Sequence, residues 1–220
     1  MKQEKEVKTY FEIKAEEFDN IYEDKGDVIT RMANKIFRKG MKERFEITLK
    51  LCGKDKDKTI LDIGCGAGRF SVPLAERGMR VLGIDYSKDM IILAHKLLKE
   101  YESKKCKKLP LNYECSDFLL NFDEKRKFNI ALAIGVFDYI REPRTFLKKM
   151  KKITKEKIIA SFPKKFTLQM PIRKMWLMTR KCPVYFYSEG DIKKLCYSAN
   201  INKFKIISHS AGYILCAELH

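Results

Sequence analysis

Along most of the chain, short apolar runs alternate with longer stretches in which apolar residues recur at every third or fourth position. The first pattern predicts buried strands and the second amphipathic helices. Thr59–Ile63 is the first such run, and a helix is predicted over Arg69–Arg77, with Gly78 placed to stop it. Arg80–Ile84 follows as a second strand. Ser87 then reads as the N-cap of a helix with Met90, Ile91, Ala94, Leu97, Leu98 and Tyr101 at helical spacing. Leu111–Cys115 and Phe128–Ile134 are the third and fourth strands. Pro143 opens a helix whose apolar stripe is Phe146, Leu147, Met150 and Ile153, and Lys157–Phe162 is the fifth strand. Ser188 and Asp191 resemble a capping box, with Asp in the usual Glu position, ahead of a helix carrying Ile192, Leu195, Cys196 and Ala199. Phe204–Ser208 and Tyr213–Glu218 close the chain as a hairpin around Gly212. Alternation of this kind implies a Rossmann-like α/β fold, a mainly parallel sheet with helices on both faces.

Two regions stand outside the alternation. Residues 1–51 read as two helices preceding the sheet, and residues 163–187 as an irregular, aromatic and basic insert. With no Pro/Gly/Ser linker to divide it, the chain reads as one domain over residues 1–220. Its parts are a helical cap (1–51), a core (52–162), the insert as a lid (163–187), and a closing helix and hairpin (188–220).

The first strand runs directly into Gly64-Cys65-Gly66-Ala67-Gly68 and then a helix. Glycines there allow a tight turn and close approach of a ligand to the backbone, and the free N–H groups at a helix start favour a polar or anionic group. Asp85 follows at the end of the second strand, 21 residues after Gly64, where a carboxylate can accept both ribose hydroxyls of an adenine nucleoside. A dinucleotide fingerprint would need a third glycine where Arg69 stands. Asp62, at the end of the first strand, would add negative charge beside phosphates but suits an ammonium. Both points disfavour a nicotinamide dinucleotide.

Leu61-Asp62-Ile63-Gly64-Cys65-Gly66-Ala67-Gly68, followed by Gly83-Ile84-Asp85-Tyr86-Ser87-Lys88-Asp89-Met90, resembles the first two motifs of the class I S-adenosylmethionine (SAM)-dependent methyltransferases. Ser116-Asp117-Phe118 is similar to the family's acidic loop after strand three, and Ala133-Ile134-Gly135-Val136-Phe137-Asp138-Tyr139 to its motif at the end of strand four. The resemblance covers roughly residues 55–161 and implies the strand order 3-2-1-4-5-7-6, with an antiparallel last strand. It further implies SAM as cofactor, with S-adenosylhomocysteine as its product. Gly64, Gly66 and Gly68 would form the turn under the methionine and ribose, with Asp62 near the amino group. Asp85 would hold the ribose, Tyr86 and Met90 would flank the adenine, Asp117 would bond its amino group, and Phe118 would lie beside it. Ile134 and Val136 would line the pocket near the sulfonium, and Tyr22, in a helical cover, would reach the cofactor with Tyr10, Phe11 and Phe18 nearby. The insert, with Lys165, Arg173, Lys174 and Arg180 as anion clamps, resembles more loosely the lid of the magnesium-protoporphyrin O-methyltransferase branch.

For catalysis, Asp138 and Tyr139 follow strand four at the edge where open sheets bind ligands. Many relatives have histidine where Tyr139 stands. His95 and His209 read as surface or packing residues, and Arg44 first as solvent-facing and second as a cofactor contact. A site poor in bases suits transfer to a carboxylate oxygen, which is already a nucleophile at pH 7.

Charge changes this picture most. The chain carries a net charge of +17, and residues 141–187 hold 14 Lys or Arg against two Glu. Such a face attracts anions: a small anionic acceptor, nucleic acid or anionic lipid. A small-molecule acceptor, aromatic or anionic and methylated on oxygen, is the first reading. An RNA or protein methyltransferase is the second, though no Asn-Pro-Pro-Tyr motif follows strand four. A lipid-surface enzyme using Met170–Met178 and a SAM-binding protein without catalysis are further readings. Seven scattered cysteines with no C-x-x-C pair point to reduced thiols in a cytoplasmic protein and to no metal site. No run approaches the length of a membrane-spanning helix, and oligomeric state is left open.

Overall fold

Seven strands form one sheet in the order β3-β2-β1-β4-β5-β7-β6. They are β1 (Thr59–Ile63), β2 (Arg80–Asp85), β3 (Leu111–Cys115), β4 (Phe128–Ala133), β5 (Thr154–Pro163), β6 (Phe204–His209) and β7 (Gly212–Glu218). The helices are α1 (Val28–Cys52), α2 (Ser71–Glu76), α3 (Lys88–Lys105), α4 (Pro143–Ile153) and α5 (Glu189–Ser198). In this computed structural model the backbone is described for residues 28–165 and 184–219, and side chains for residues 39–165 and 184–219. Tyr10, Phe11, Phe18, Tyr22, Met170–Met178, Arg173, Lys174 and Arg180 lie outside the described residues.

The predicted strand order and antiparallel β7 are both observed. β1, β2, β3, β4 and β5 pair in parallel, and β7 pairs antiparallel to both β5 and β6. The apolar alternation of each strand feeds two cores. Leu61, Ile63, Ala131 and Ala133 face one with Phe137, Phe146 and Leu147, while Ile60, Val81, Ile130 and Leu132 face the other with Leu74 and Met79. Each fully buried side chain of this kind contributes on the order of 1.5–3 kcal/mol. That burial, more than local propensity, holds the short strands.

Boundaries shift where local chemistry overrides the pattern. α2 is shorter than predicted, because the glycine turn continues through Arg69 and Phe70 becomes the N-cap. β5 starts at Thr154 rather than Lys157: the Thr154 hydroxyl donates to the Met150 carbonyl at 2.6 Å and ends α4, and the chain passes straight into the sheet. Ser188 and Asp191 make the predicted capping box, both halves present.

The parallel pairing brings the carboxyl ends of β1, β2, β3, β4 and β5 to one edge. The β6–β7 turn lies at that edge too, since Gly212 pairs with both Pro163 and His209. α1 is docked on this turn, where the Ser210 N–H donates to a Glu43 carboxylate oxygen at 2.9 Å.

Candidate functional site

The turn after β1 is tied to the end of β2. The N–H groups of Gly64 and Cys65 both donate to the Ile84 carbonyl, at 2.8 and 3.0 Å. One oxygen of the buried Asp85 carboxylate accepts the Gly66 N–H at 3.0 Å, and the other accepts the Ser87 N–H at 2.9 Å. Ser87 in turn caps α3 by accepting the Met90 N–H. A carboxylate has about four acceptor positions, so Asp85 fixes the turn from several backbone N–H groups and keeps acceptor capacity beyond them. Burial raises its pKa.

Gly66 has φ +52, and a Cβ built on it would meet nothing within 4 Å. The backbone there faces open space beside Asp85, a cradle that any side chain would obstruct. Asp62 lies beneath the turn, 2% exposed, with one oxygen accepting the Ser71 hydroxyl at 2.6 Å. Burial drives its pKa up to about 7, opposed by the Ser71 bond and reinforced by the negative field of Asp85.

The β4 turn meets the β1 turn. A Cβ on Gly64 would stand 2.6 Å from Val136 Cγ2, so these two loops touch. Gly135 N–H donates to the Ser161 hydroxyl at 2.7 Å. Ile134 is buried in the second core, and Val136 is half-buried against the first. On the other side, Tyr86 is half-buried, Met90 is buried in the first turn of α3, and Asp117 is half-buried. One Asp117 oxygen accepts the N–H groups of Leu119 and Leu120 at 2.8 and 3.1 Å. Its other oxygen makes none of these bonds.

Three expectations need correction. Phe118 is a core residue: it is 5% exposed and packs on Phe146 with ring centroids 4.8 Å apart, because the loop turns its ring inward under α4. Asp138 is 4% exposed and sits under the returning chain, where Tyr185 N–H donates to its carbonyl at 2.8 Å and the Tyr187 hydroxyl donates to Phe137 O. The Asp138 backbone carbonyl ties the loop to the returning chain. Tyr139 beside it is half-buried. Arg44 is not solvent-facing. Its Nε is buried, and its Nη1 stands 3.7 Å from the Cβ position of Gly135, at the carboxyl edge. The sequence reading offered it as a cofactor contact only second to a solvent-facing role. Its signal was the stripe Gly40, Arg44, Thr48, spaced by four, whose flanking members are both buried.

Tyr113 was missed by the sequence reading, and His209 was read as a surface or packing residue. Tyr113, on β3, reaches under the turn with its hydroxyl 1.9 Å from where a Cβ on Gly68 would be. Its buried phenol is pushed to a raised pKa chiefly by desolvation. His209 is 8% exposed, and burial, helped by Arg44, lowers its pKa to about 4, so it is neutral at physiological pH. Among the described residues no group of three or more His, Cys, Asp or Glu is placed to hold a metal, and all six cysteines are free.

The family model for a methyltransferase domain matches residues 54–171, more than half of the 220-residue chain. Among curated proteins, ubiquinone biosynthesis O-methyltransferases are similar over part of their length. That of Coxiella burnetii is 29% identical over 93 residues, 42% of this chain and 37% of that protein. That of Pelagibacter ubique is 32% identical over 101 residues, 46% of this chain and 39% of that protein. The chain thus matches well under half the length of these relatives. Among solved structures, magnesium protoporphyrin IX methyltransferase from Synechocystis with bound S-adenosylhomocysteine superposes with a TM-score of 0.75 at 18% identity, covering 99% of this chain and 100% of that one. A possible histamine N-methyltransferase from Thermotoga maritima gives 0.68 at 16% identity, covering 96% and 99%. At such identities the likeness is one of fold. The domain-model match shows that the chain belongs to the methyltransferase-domain family, with the fold of the solved methyltransferases.

Proposed function

We propose that this enzyme transfers a methyl group from SAM to an oxygen of a small acceptor, anionic or aromatic, bound at the carboxyl edge between the β4 turn and the start of the insert. The observation that carries the cofactor half is the open backbone at Gly66 beside a carboxylate already fixed by two N–H donors. When bound, SAM supplies an electrophilic methyl on a sulfonium. The chain's own residues align and shield it. Asp85 accepts the ribose hydroxyls, Tyr86 and Met90 flank the adenine, and the uncommitted oxygen of Asp117 accepts from the base. Gly64, Gly66 and Gly68 pass under the methionine and ribose. Asp62 supplies a negative field beneath the turn for the ammonium, and Arg44, over Gly135, holds the carboxylate at the same end. Ile134 and Val136 form the apolar wall that keeps water from the reacting centre, and alignment supplies most of the rate.

The oxygen assignment rests on the scarcity of proton acceptors. Among the described residues, His209 and Asp138 are buried, and Tyr139, after β4, is half-buried. An acceptor oxygen that is ionised at pH 7, as a carboxylate is, needs no base. The curated relatives, named as O-methyltransferases, support the same reading. The six free thiols suit a reducing compartment such as the cytoplasm.

Gly66→Ala tests the cofactor half. Its Cβ enters the ligand's space, so SAM affinity by calorimetry is expected to fall roughly 30-fold, while the melting temperature moves only a few degrees because no protein atom is displaced. Unchanged affinity would place the cofactor elsewhere. Arg44→Met is expected to weaken SAM by about 10-fold or more through loss of a charge-assisted contact, with little change in fold. Labelled SAM offered with a panel of aromatic carboxylates and phenols tests the acceptor half; turnover of amines alone would overturn the oxygen assignment.

A further inference from the structure

The basic stretch singled out in the sequence is used only in part by the cofactor site. Most of its described members lie on α4 and the start of β5, on the outside of the first core. Phe146, Leu147, Met150 and Ile153 face inward, and Arg144, Lys148, Lys152 and Lys155 are exposed. α5 continues the surface with exposed Lys193 and Lys194. The assembly is braced from within: Arg144 donates to the Ser198 carbonyl, Lys151 to the Asn200 carbonyl at 2.7 Å, and Lys149 to the carbonyls of Leu119 and Phe122. Among the described residues Lys148, Lys155 and Lys194 make no ion pair.

Two apolar side chains flank this surface. Leu120, on the loop held by Lys149, is 84% exposed, and Tyr197, on α5 at the other side of α4, is 58% exposed. At the amino edge the surface runs into an open concavity of about 640 Å³ lined by Lys127, Lys151, Lys152, Lys155 and Glu156 among others. Its upper end, at Pro143, follows closely on Tyr139 and the carboxyl edge.

We infer that the α4–α5 face docks on an anionic phospholipid surface, with Leu120 and Tyr197 entering the headgroup region and the lysines meeting lipid phosphates. Nucleic acid would use the same charge, but a protruding aliphatic side chain gains nothing from phosphate or base edges. It gains from the acyl boundary, and a half-exposed tyrosine is suited to the interface. Docked in this way, the enzyme holds its acceptor edge next to the bilayer, so an acceptor of low water solubility reaches the site without crossing solvent.

The test is sedimentation of the full chain with phosphatidylcholine vesicles, with and without phosphatidylglycerol. Binding is expected only with the anionic lipid and is expected to weaken with salt. K148E/K155E/K194E is expected to lower it by about 100-fold, and L120S/Y197S by several-fold at unchanged salt dependence. SAM affinity by calorimetry checks that each variant is folded and stays as in the parent, since none of these residues contacts the glycine turn. Failure to sediment with anionic vesicles, indifference to the triple reversal, or tighter retention by mixed RNA than by vesicles at equal phosphate concentration would each overturn the inference, and would leave the methyltransferase reading untouched.

Discussion

Gly68→Ala is expected to lower the melting temperature by roughly 10 °C, a loss of about 3–4 kcal/mol. Two costs combine. Gly68 has φ +85, where an L side chain is strained, and its Cβ would stand 1.9 Å from the Tyr113 hydroxyl and 2.8 Å from Tyr113 Cζ. The tyrosine cannot step aside. It is 4% exposed, and its ring is already pressed against the other wall, with Cδ1 and Cε1 at 2.6 and 2.7 Å from the Cβ position of Gly83. Gly68 and Gly83 are therefore the two faces of a slot that admits one aromatic ring from β3. The double variant Gly68→Ala/Tyr113→Phe removes the nearest atom and should recover part of the loss, while Tyr113→Phe alone should be close to neutral. Thermal unfolding of the four proteins measures the coupling directly. A Gly68→Ala protein as stable as the parent would show that the slot is not as tight as drawn. Gly66→Ala is the contrast: similar backbone strain and no clash, with the damage in affinity rather than in stability.

That contrast also marks how far the sequence could be read. The fold was legible because each core strand ends in a residue the sheet edge needs: Ile63 before a glycine turn, Asp85 before a serine cap, Ala133 before Gly135. Gly64, Gly66, Gly68 and Asp85 were legible for the same reason, since a turn of that shape beside a carboxylate has few uses. The burial of Phe118 and Asp138 was not legible, because a motif gives position along the chain and not the direction of a side chain, and both lie under neighbouring segments. Arg44 was ranked first as solvent-facing because the spacing of Gly40, Arg44 and Thr48 separates it only weakly from 45 other cations; the docking of α1 on the β6–β7 turn brings it over Gly135. Tyr113 sits in a strand whose neighbours are Asn112 and Glu114, so its burial reads as ordinary alternation, and its partner glycines are 45 and 30 residues away in the chain.

The Asp62 contribution to the stability of the unliganded protein should decline between about pH 4 and 7, against the opposite contribution of the buried neutral His209, and Asp62→Asn should remove that decline. The buried Asp62 carboxyl has its pKa raised to about 7 by desolvation, against about 4 in the unfolded chain. The folded state therefore binds a proton that the unfolded state has lost over this window. The favourable contribution is complete below pH 4 and is lost as pH rises through 7. About three pKa units correspond to roughly 4 kcal/mol, the largest single pH-dependent contribution among the described groups with a printed value in the neutral range. Asn keeps a carbonyl oxygen for the Ser71 hydroxyl, so the variant should match the parent near pH 4 and exceed it at pH 8, read as the denaturant midpoint across pH. A parent-minus-variant difference that is flat over this window would mean that Asp62 is solvated and the turn is looser than described. The same variant should bind SAM less tightly at pH 8, because the negative field that destabilises the empty turn is what attracts the ammonium. Calorimetry in buffers of different ionisation enthalpy should show proton release on binding near pH 7 in the parent and none in Asp62→Asn. A gain in stability coupled to a loss in affinity is the signature of a charge kept for its ligand, and it distinguishes a carboxylate held for SAM from one that is only buried.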